Sequence, residues 1–378
     1  MVLARLLATA RKEAKHILRD PRSLILALGI PLLLLWLFGY ALTFDLNQAP
    51  TVVLDRDQTP ASRDLLARLQ ASPYFSIIAY ANSPAEMTAA LNSGEALIGL
   101  NIPAGFGADL SRDDPAPIQL LLDGTDSTMA ALAQSYIETV IKTYSLEQAQ
   151  KRLKRLGLSE FEPPVEVRLR LWFNPEAKSK NFIIPGLIVV IIMIIAAQLT
   201  ALTVAREFET GTLEWLIATP IRPVEVILGK LLPYLAIGFI DVIVAVLAGI
   251  YIFDVPFRGQ FWLLALLSLL FIIGTLALGI LISVMAKNQV VASQMSVVVT
   301  FLPAFILSDF VFPIYNMPLV LKLITYLVPA RYMIAIAKGI FLKGVGFDVL
   351  VIETAFLAVF TLLAVLAAVG RFKKRLYL

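Results

Sequence analysis

Asp241 and Asp309 carry carboxylates inside long apolar runs of the chain, where an ionisable side chain costs about 2.5–3.5 kcal/mol on membrane-insertion scales. Asp241 lies near the middle of one run, and Asp309 lies near the end of another. Such a group binds a cation, carries a proton or forms a polar contact, so Asp241, Asp309 and Gln198 are candidate transport-pathway residues. For Asp241 we favour a polar contact with Gln198, Thr200 or a second copy of the chain. For Asp309 we favour exposure at the membrane interface, and a gate or substrate contact is the alternative.

A second set of chemically distinctive residues connects two apolar runs between positions 206 and 222. Gly211 is predicted to end the preceding helix with a positive φ, and Thr212 is predicted to cap a short new helix. Pro220 ends that helix because the residue before a proline disfavours α geometry. We expect the short helix to dock on a partner, and a plain loop with an interfacial Trp is the alternative. The candidate docking residues are Glu207, Glu209, Gly211, Thr212, Leu213, Glu214, Trp215, Leu216, Pro220 and Arg222.

The chain lacks the residues that several kinds of catalytic, metal-binding and nucleotide-binding sites require. The chain has no Cys, which excludes disulfides, thiolate metal sites and Cys nucleophiles. The lone His16 lies in a basic N-terminal stretch, where a solvated His is the simpler interpretation. Gly229 and Lys230 form a Gly-Lys pair, but the phosphate-binding loop G-x-x-x-x-G-K-[ST] is absent. We therefore expect no catalytic residue, no metal and no cofactor in this chain.

Four aspartates near strand ends could resemble a metal cluster. Their spacing matches no calcium-binding loop, so we interpret them as turn and cap carboxylates. These residues are Asp55, Asp57, Asp123 and Asp126.

The elements that must position these residues are mostly membrane helices. Hydrophobic residues form 58% of the chain, charged residues form 16%, and the mean hydropathy is +0.80, as in integral membrane proteins. A scan for apolar runs of about 20 residues predicts six membrane helices. They cover 24–44, 182–205, 224–253, 261–286, 290–312 and 349–370. The net charge of +4 arises from Lys and Arg beside these runs, so we expect no nucleic-acid partner.

The basic residues also predict the orientation of the chain. They are concentrated before the first apolar run and in the tail 371–378, and short basic segments stay in the cytoplasm. Both termini are therefore predicted to be cytoplasmic, in agreement with an even number of spans. The same rule places the segment 206–222 inside, in a multi-pass protein of the cytoplasmic (inner) membrane.

Residues 45–180 form a polar insertion between the first two predicted spans, long enough for a hydrophobic core of its own. Strand-like and helix-like stretches alternate along it, and Ser83 with Glu86 begins one helix as a capping box. The predicted fold class is therefore an α-helical polytopic membrane protein with six transmembrane helices and an inserted extracytoplasmic α/β domain.

Three stretches carry a family resemblance: AREFETGTLEWLIATPIRPVEVILGK, LPAFILSDFVFPIYNMP and LVPARYMIAIAKGIFLKG. Together they resemble the membrane subunit of ABC-2 type exporters, in the subgroup with a large outside domain after the first span. The opening of that domain, VLDRDQTPASRDLLARL, is similar to the same subgroup. At Asp309 the family more often has Gly, so the resemblance is weakest there.

The resemblance implies that ATP hydrolysis and membrane transport are carried out by separate subunits. A dimer of separate ATPase subunits would bind ATP and Mg²⁺, and two permeases, identical or related, would form the membrane part. The segment 206–222 would be the coupling helix, with an amphipathic cytoplasmic helix within residues 1–23 beside it. Residues 313–342 would form an outer re-entrant region inside the membrane part, 181–370. Membrane lipids would surround the chain, and the outside domain would leave room for an outer or periplasmic partner.

Three functions from different classes follow from these observations. The first is the permease subunit of an ATP-driven exporter that moves an amphipathic, drug-like or lipid-like compound outward. The second is an ion-coupled transporter that uses Asp241 and Asp309 as proton carriers. The third is a membrane-anchored surface-binding protein whose outside domain carries the function. The pattern of the segment 206–222 favours the first.

Overall fold

The computed structural model describes residues 2–21, 25–42, 45–112, 114–156, 172–175, 178–212 and 221–372. Within it the chain divides into two compact units. One comprises residues 1–43 with 170–378, and the other comprises residues 44–169.

Helices dominate the described chain, and a small sheet occupies the inserted part. In chain order the elements are α1 (Val2–Arg19), a π turn (Ile25–Gly29), α2 (Ile30–Ala41), β1 (Ala49–Asp55), α3 (Pro60–Ala71), β2 (Phe75–Tyr80), α4 (Pro84–Asn92), β3 (Ile98–Ile102), α5 (Phe106–Arg112), β4 (Gln119–Leu122) and α6 (Ser127–Arg155). They continue with α7 (Ser179–Glu209), α8 (Pro223–Tyr251), α9 (Phe261–Ala286), α10 (Gln289–Ile306), α11 (Leu319–Thr325), α12 (Pro329–Lys338) and α13 (Val351–Arg371). A 3₁₀ turn (Ile314–Asn316) precedes α11, and a π turn (Gly339–Lys343) follows α12.

The unit 44–169 is an α/β unit with a mixed four-stranded sheet, as its alternating pattern predicts. The strand order is β2-β1-β3-β4, with β1 parallel to both neighbours and β4 antiparallel to β3. Val53, Ile98 and Ile137 are buried in its core. A further strand predicted near residues 165–173 lies largely outside the described residues. The position of this unit outside the membrane stays a prediction.

The aspartates of this unit serve as turn and cap carboxylates, as interpreted from their spacing. Asp126 accepts the backbone N–H groups of Thr128 and Met129 at the start of α6. Asp57 accepts the N–H groups of Gly105 and Gly107, which fixes the loop before α5. Within the described residues no group of three potential metal ligands is present.

Five helices of the other unit are long and apolar enough to span a membrane: α7, α8, α9, α10 and α13. Their bounds lie close to five of the six predicted runs. The remaining run, 24–44, contains the π turn and α2, a shorter apolar helix. A sixth candidate is the pair of α11 with residues 329–343, which is bent by 80°. The structure therefore supports five or six spans, and the count of six stays a prediction.

Helix α7 is the central element of this bundle and contacts α2, α8, α9, α10 and α12. Its closest approach is to α9 at Gly279, where an added Cβ would overlap Thr200 Oγ1 and the Ala197 carbonyl oxygen. Thr200 donates a 2.9 Å hydrogen bond to the carbonyl of Leu276 across the same contact. Small residues at such a crossing let two membrane helices pack closely.

Candidate functional site

The N-terminal helix α1 packs against the first turns of α8. Thr9, Glu13 and Ile17 are buried at a spacing of four residues, which places them on one face of the helix. Gly229 permits this contact, because an added Cβ would lie 2.7 Å from Thr9 Cβ and 3.0 Å from the Leu6 carbonyl oxygen. A polar helix face therefore lies directly on the apolar helix α8.

Four charged side chains meet where α1, α7 and α8 converge, and we call them the buried ion network: Lys12, Glu13, Glu207 and Lys230. The Lys230 ammonium donates to Glu13 Oε1 at 2.6 Å and lies 3.0 Å from Glu207 Oε1. Lys12 Nζ lies 2.6 Å from Glu207 Oε1 and 3.9 Å from Glu13 Oε1. Lys230 is 1% exposed. Two cations thus balance two anions. Such pairing is required because an unpaired charge is costly to bury inside a protein.

The electrostatics of Lys12, at the edge of the buried ion network, favour its charged form. Burial alone would lower the pKa of Lys12, but its hydrogen bond to Glu207 and the charges of Glu207 and Glu13 outweigh burial and raise the pKa. Because the folded pKa lies above the unfolded one, the stabilisation from Lys12 is present below the unfolded pKa. It is lost only as pH rises through the raised value, so it persists at physiological pH.

A second, more exposed set of polar contacts joins α1, α7 and α10. Arg206 lies 3.5 Å from Asp20 and donates to the Gln289 side chain at 3.2 Å. The N–H of Gln289, at the start of α10, donates to Glu209 Oε1 at 2.9 Å. Asn288 caps the same helix by accepting the N–H of Val291. The end of α7, from which the segment 206–222 departs, is therefore fixed to two neighbouring helices.

The described part of the segment 206–222 has the predicted turn. Gly211 has a φ of +70°, and no atom of the described residues lies within 4 Å of where its Cβ would stand. Thr212 Oγ1 lies 3.0 Å from Thr210 Oγ1, and the N–H of Arg222 donates to Glu225 Oε2 at the start of α8. The remaining predicted docking residues, Leu213, Glu214, Trp215, Leu216 and Pro220, lie outside the described residues.

The prediction that Glu207 offers its charge to a basic partner protein needs correction. Glu207 is buried and its carboxylate already contacts Lys12 and Lys230 of its own chain. Glu209 is more exposed, yet its carboxylate is engaged with Gln289. Both carboxylates are therefore engaged within the chain, where they hold the end of α7 against α1, α8 and α10.

The three predicted pathway residues do not come together. Gln198 donates to Ser293 Oγ at 3.3 Å. The Thr200 hydroxyl donates to the backbone carbonyls of Ala196 and Leu276. Asp241 is only 6% exposed, and its carboxylate forms no hydrogen bond or ion pair within the described chain. The contact predicted between Asp241 and Gln198 or Thr200 is therefore wrong for the single chain.

Asp309 lies in a turn after α10 and is half-exposed, and its location at the membrane interface stays a prediction. Its φ is +66°, and its carboxylate accepts the N–H of Ile314 at 3.1 Å. Lys338 of α12 donates to the Asp309 carbonyl at 2.7 Å and lies 3.6 Å from its carboxylate. A positive φ suits Gly, the commoner residue here in the resembled family, and Asp tolerates it. The residue therefore ties the turn to α12.

The sequence did not single out Lys12, Glu13 or Lys230 as functional residues. One signal was available, because Lys230 is a cation within the apolar helix α8 and such residues mark functional or paired positions. Its partners were not predictable, since Glu13 lies 217 residues away along the chain.

Comparison with known proteins gives a consistent set of relatives. Residues 21–369 match the family described as ABC-2 family transporter protein. The probable multidrug ABC transporter permease YbhS of Escherichia coli (strain K12) is 37% identical over 354 residues, 93% of this chain and 92% of the relative. The probable multidrug ABC transporter permease YbhR of the same organism is 30% identical over 345 residues, 91% of this chain and 92% of the relative. The inner membrane transport permease YhhJ, also from that strain, is 27% identical over 310 residues, 80% of this chain and 79% of the relative.

Proposed function

Because the chain belongs to the ABC-2 family of transporter proteins, we propose that it is the membrane-spanning permease of an ATP-driven exporter. Permeases of this family work with ABC ATPase subunits. In our proposal a dimer of such subunits binds ATP and Mg²⁺ and docks on the segment 206–222. Two permeases, identical or related, form the pathway in the inner membrane, with both termini in the cytoplasm.

The observation that carries this proposal is the fixation of both ends of the segment 206–222. Its first end is held by the buried ion network and by the contacts of Arg206 and Glu209. Its second end is the capped start of α8, the helix on which α1 packs. A displacement of the segment by the docked ATPase would therefore move α1, α7 and α8 together, because these helices share buried charges that are costly to separate.

The proposed substrate is an amphipathic, drug-like or lipid-like compound that leaves the membrane outward. Two relatives are named as probable multidrug permeases, and the bundle exposes apolar helix faces that suit such compounds. The ion-coupled alternative is less favoured, because Asp309 is engaged with Lys338 and, within the described chain, Asp241 forms no hydrogen bond or ion pair with the other predicted pathway residues.

Purification of the tagged chain in mild detergent tests the proposed partnership. We expect an ABC ATPase to co-purify in near-equal amount, and inside-out vesicles to accumulate a fluorescent amphipathic dye only when ATP and Mg²⁺ are present. A catalytically inactive ATPase variant is the control. Transport by the chain alone in vesicles without ATP would contradict the proposal.

Gly211→Val is expected to reduce dye-stimulated ATPase activity of the complex while membrane insertion is unchanged. The left-handed conformation costs a side-chain-bearing residue about 1–2 kcal/mol, and no atom of the described residues lies within 4 Å of a Cβ added at Gly211. That cost lowers the ratio of correctly folded to unfolded segment roughly 5–30-fold. Gly211→Asn is the matched control, because Asn adopts this conformation more readily, and equal losses in both variants would contradict the backbone argument.

Asp241→Leu is expected to raise the thermal stability of the permease in detergent. A buried carboxylate without a partner costs about 1–3 kcal/mol, and Leu removes that cost while keeping the same branching of heavy atoms at Cγ. Asp241→Asn should have a smaller effect because it keeps a polar group. If stability rises and dye transport falls, Asp241 serves transport; if transport is unchanged, Asp241 has no functional role.

A further inference from the structure

A basic cleft opens between α1 and the end of α7. Its volume is about 500 Å³, and it is lined by Lys12, Lys15, Arg19, Asp20, Pro21 and Arg206. Lys12 is engaged with Glu207, and Arg206 lies beside Asp20. Lys15 and Arg19 are exposed and form no ion pair within the part of the chain that the structure describes. The cleft therefore has two positive charges that nothing in the described chain balances.

An apolar groove adjoins this cleft along α1. Its volume is about 950 Å³, and it is lined in part by Leu7, Ala8 and Ala14 of α1 with Leu232 and Pro233 of α8. Lys12 and Lys15 line both the groove and the basic cleft. Leu7 and Leu232 are 51% and 43% exposed, which is unfavourable for apolar side chains in water. Cationic and apolar surfaces thus lie side by side at the same end of the bundle.

We propose that the basic cleft and the apolar groove together bind one anionic phospholipid of the cytoplasmic leaflet. The phosphate would lie between Lys15 and Arg19, and an acyl chain would follow Leu7 and Leu232. Basic pockets between membrane helices on the cytoplasmic side bind anionic headgroups through this combination of charge and apolar area. An acidic protein surface would satisfy the charges but would leave the groove uncovered, so the lipid fits the two surfaces better.

This site would give the lipid a role in holding α1 on α8. The bound phosphate would lie next to Lys12, at the edge of the buried ion network, so the lipid would stabilise the same contact that fixes the start of the segment 206–222. The inference concerns binding by the permease chain itself and is tested without the ATPase or any transported substrate.

The test uses the purified full chain in detergent, titrated with phosphatidylglycerol or phosphatidylethanolamine of matched acyl chains. Bound lipid is counted by native mass spectrometry, and protection is measured by thermal unfolding. We expect tighter binding of phosphatidylglycerol, weakened about tenfold or more in K15S/R19S because each basic residue near an anionic headgroup contributes to binding. The control K142S/K151S removes the same charge from exposed positions of α6 and should bind as wild type.

Two further arms separate the lipid from other anions and from protein partners. Inorganic phosphate and glycerol 3-phosphate should give no protection, and Leu7→Asn should weaken phosphatidylglycerol binding. Equal protection by inorganic phosphate would reduce the site to a simple anion site and overturn the proposal. Unchanged phosphatidylglycerol binding in K15S/R19S would also overturn it, and loss of a co-purifying acidic protein in that variant would assign the surface to that protein.

Without added lipid, K15S/R19S should unfold at the wild-type temperature, because neither side chain forms an ion pair in the described chain.

Discussion

Lys230→Met should lower the free energy of unfolding of the permease by about 3–5 kcal/mol, the usual loss when one partner of a buried ion pair is removed. The ammonium of Lys230 is within 3.0 Å of both Glu13 and Glu207, so its removal leaves two buried carboxylates with only Lys12. Thermal unfolding in detergent measures the loss. Faster trypsin cleavage at Arg11 and Lys12 is expected as α1 separates from α8.

A charge-balanced double variant is the control for this prediction. In Lys230→Met with Glu13→Gln, the one remaining carboxylate of the buried ion network faces one cation, so we expect part of the lost stability to return. Glu13→Gln alone should destabilise, because it leaves two cations with Glu207. If the double variant is no more stable than Lys230→Met, the charge balance of the buried ion network does not account for the effect, and the electrostatic explanation is wrong.

Gly279→Val should prevent α7 and α9 from packing at their native distance. A Cβ at this position already overlaps Thr200 Oγ1 and the Ala197 carbonyl oxygen, and it lies 2.9 Å from the Ala197 carbonyl carbon. Backbone atoms cannot rotate away as a side chain does, so the cost should reach or exceed the 1–3 kcal/mol or so typical of overpacking. We expect a much lower yield of monodisperse protein and a lower unfolding temperature.

Substitutions at other helix glycines show whether this effect is specific. Gly370→Ala, near the end of α13, has no described atom within 4 Å of the added Cβ and should be neutral or slightly stabilising through helix propensity. Gly238→Ala would meet only the Ile272 side chain, at 3.1 Å, and should have an intermediate effect. Equal stability of all the glycine variants would show that α7 and α9 are not held at this distance in the membrane.

Local sequence signals predicted the local structures well. Ser83 accepts the N–H of Glu86 at the start of α4, and the Glu86 carboxylate accepts the N–H of Asn82 just before that cap. The φ of Gly211 and the bounds of α9 follow from the same kind of signal, because each depends on residues adjacent in the chain. Hydropathy likewise located α7, α8 and α13, since apolar length is itself a local property.

Structure that depends on distant partners was less predictable. The run 290–312 was expected to be one span, but α10 ends at Ile306 and the chain turns at Asp309, which is held by Lys338. Glu207 was assigned to a partner protein because its own partners, Lys12 and Lys230, lie far away in the sequence. Charge alone showed that Glu207 needed a cation, and only the fold showed which one.

The buried ion network also constrains the order in which the chain is assembled during synthesis. Glu13 leaves the ribosome early, and its partner Lys230 follows 217 residues later. At about 5–20 residues per second, that interval is roughly 10–40 s. During this time Glu13 must remain hydrated or be held by an assembly factor, because an unpaired carboxylate is costly to bury. Helix α1 is therefore expected to reach its final position on α8 only after Lys230 has been synthesised.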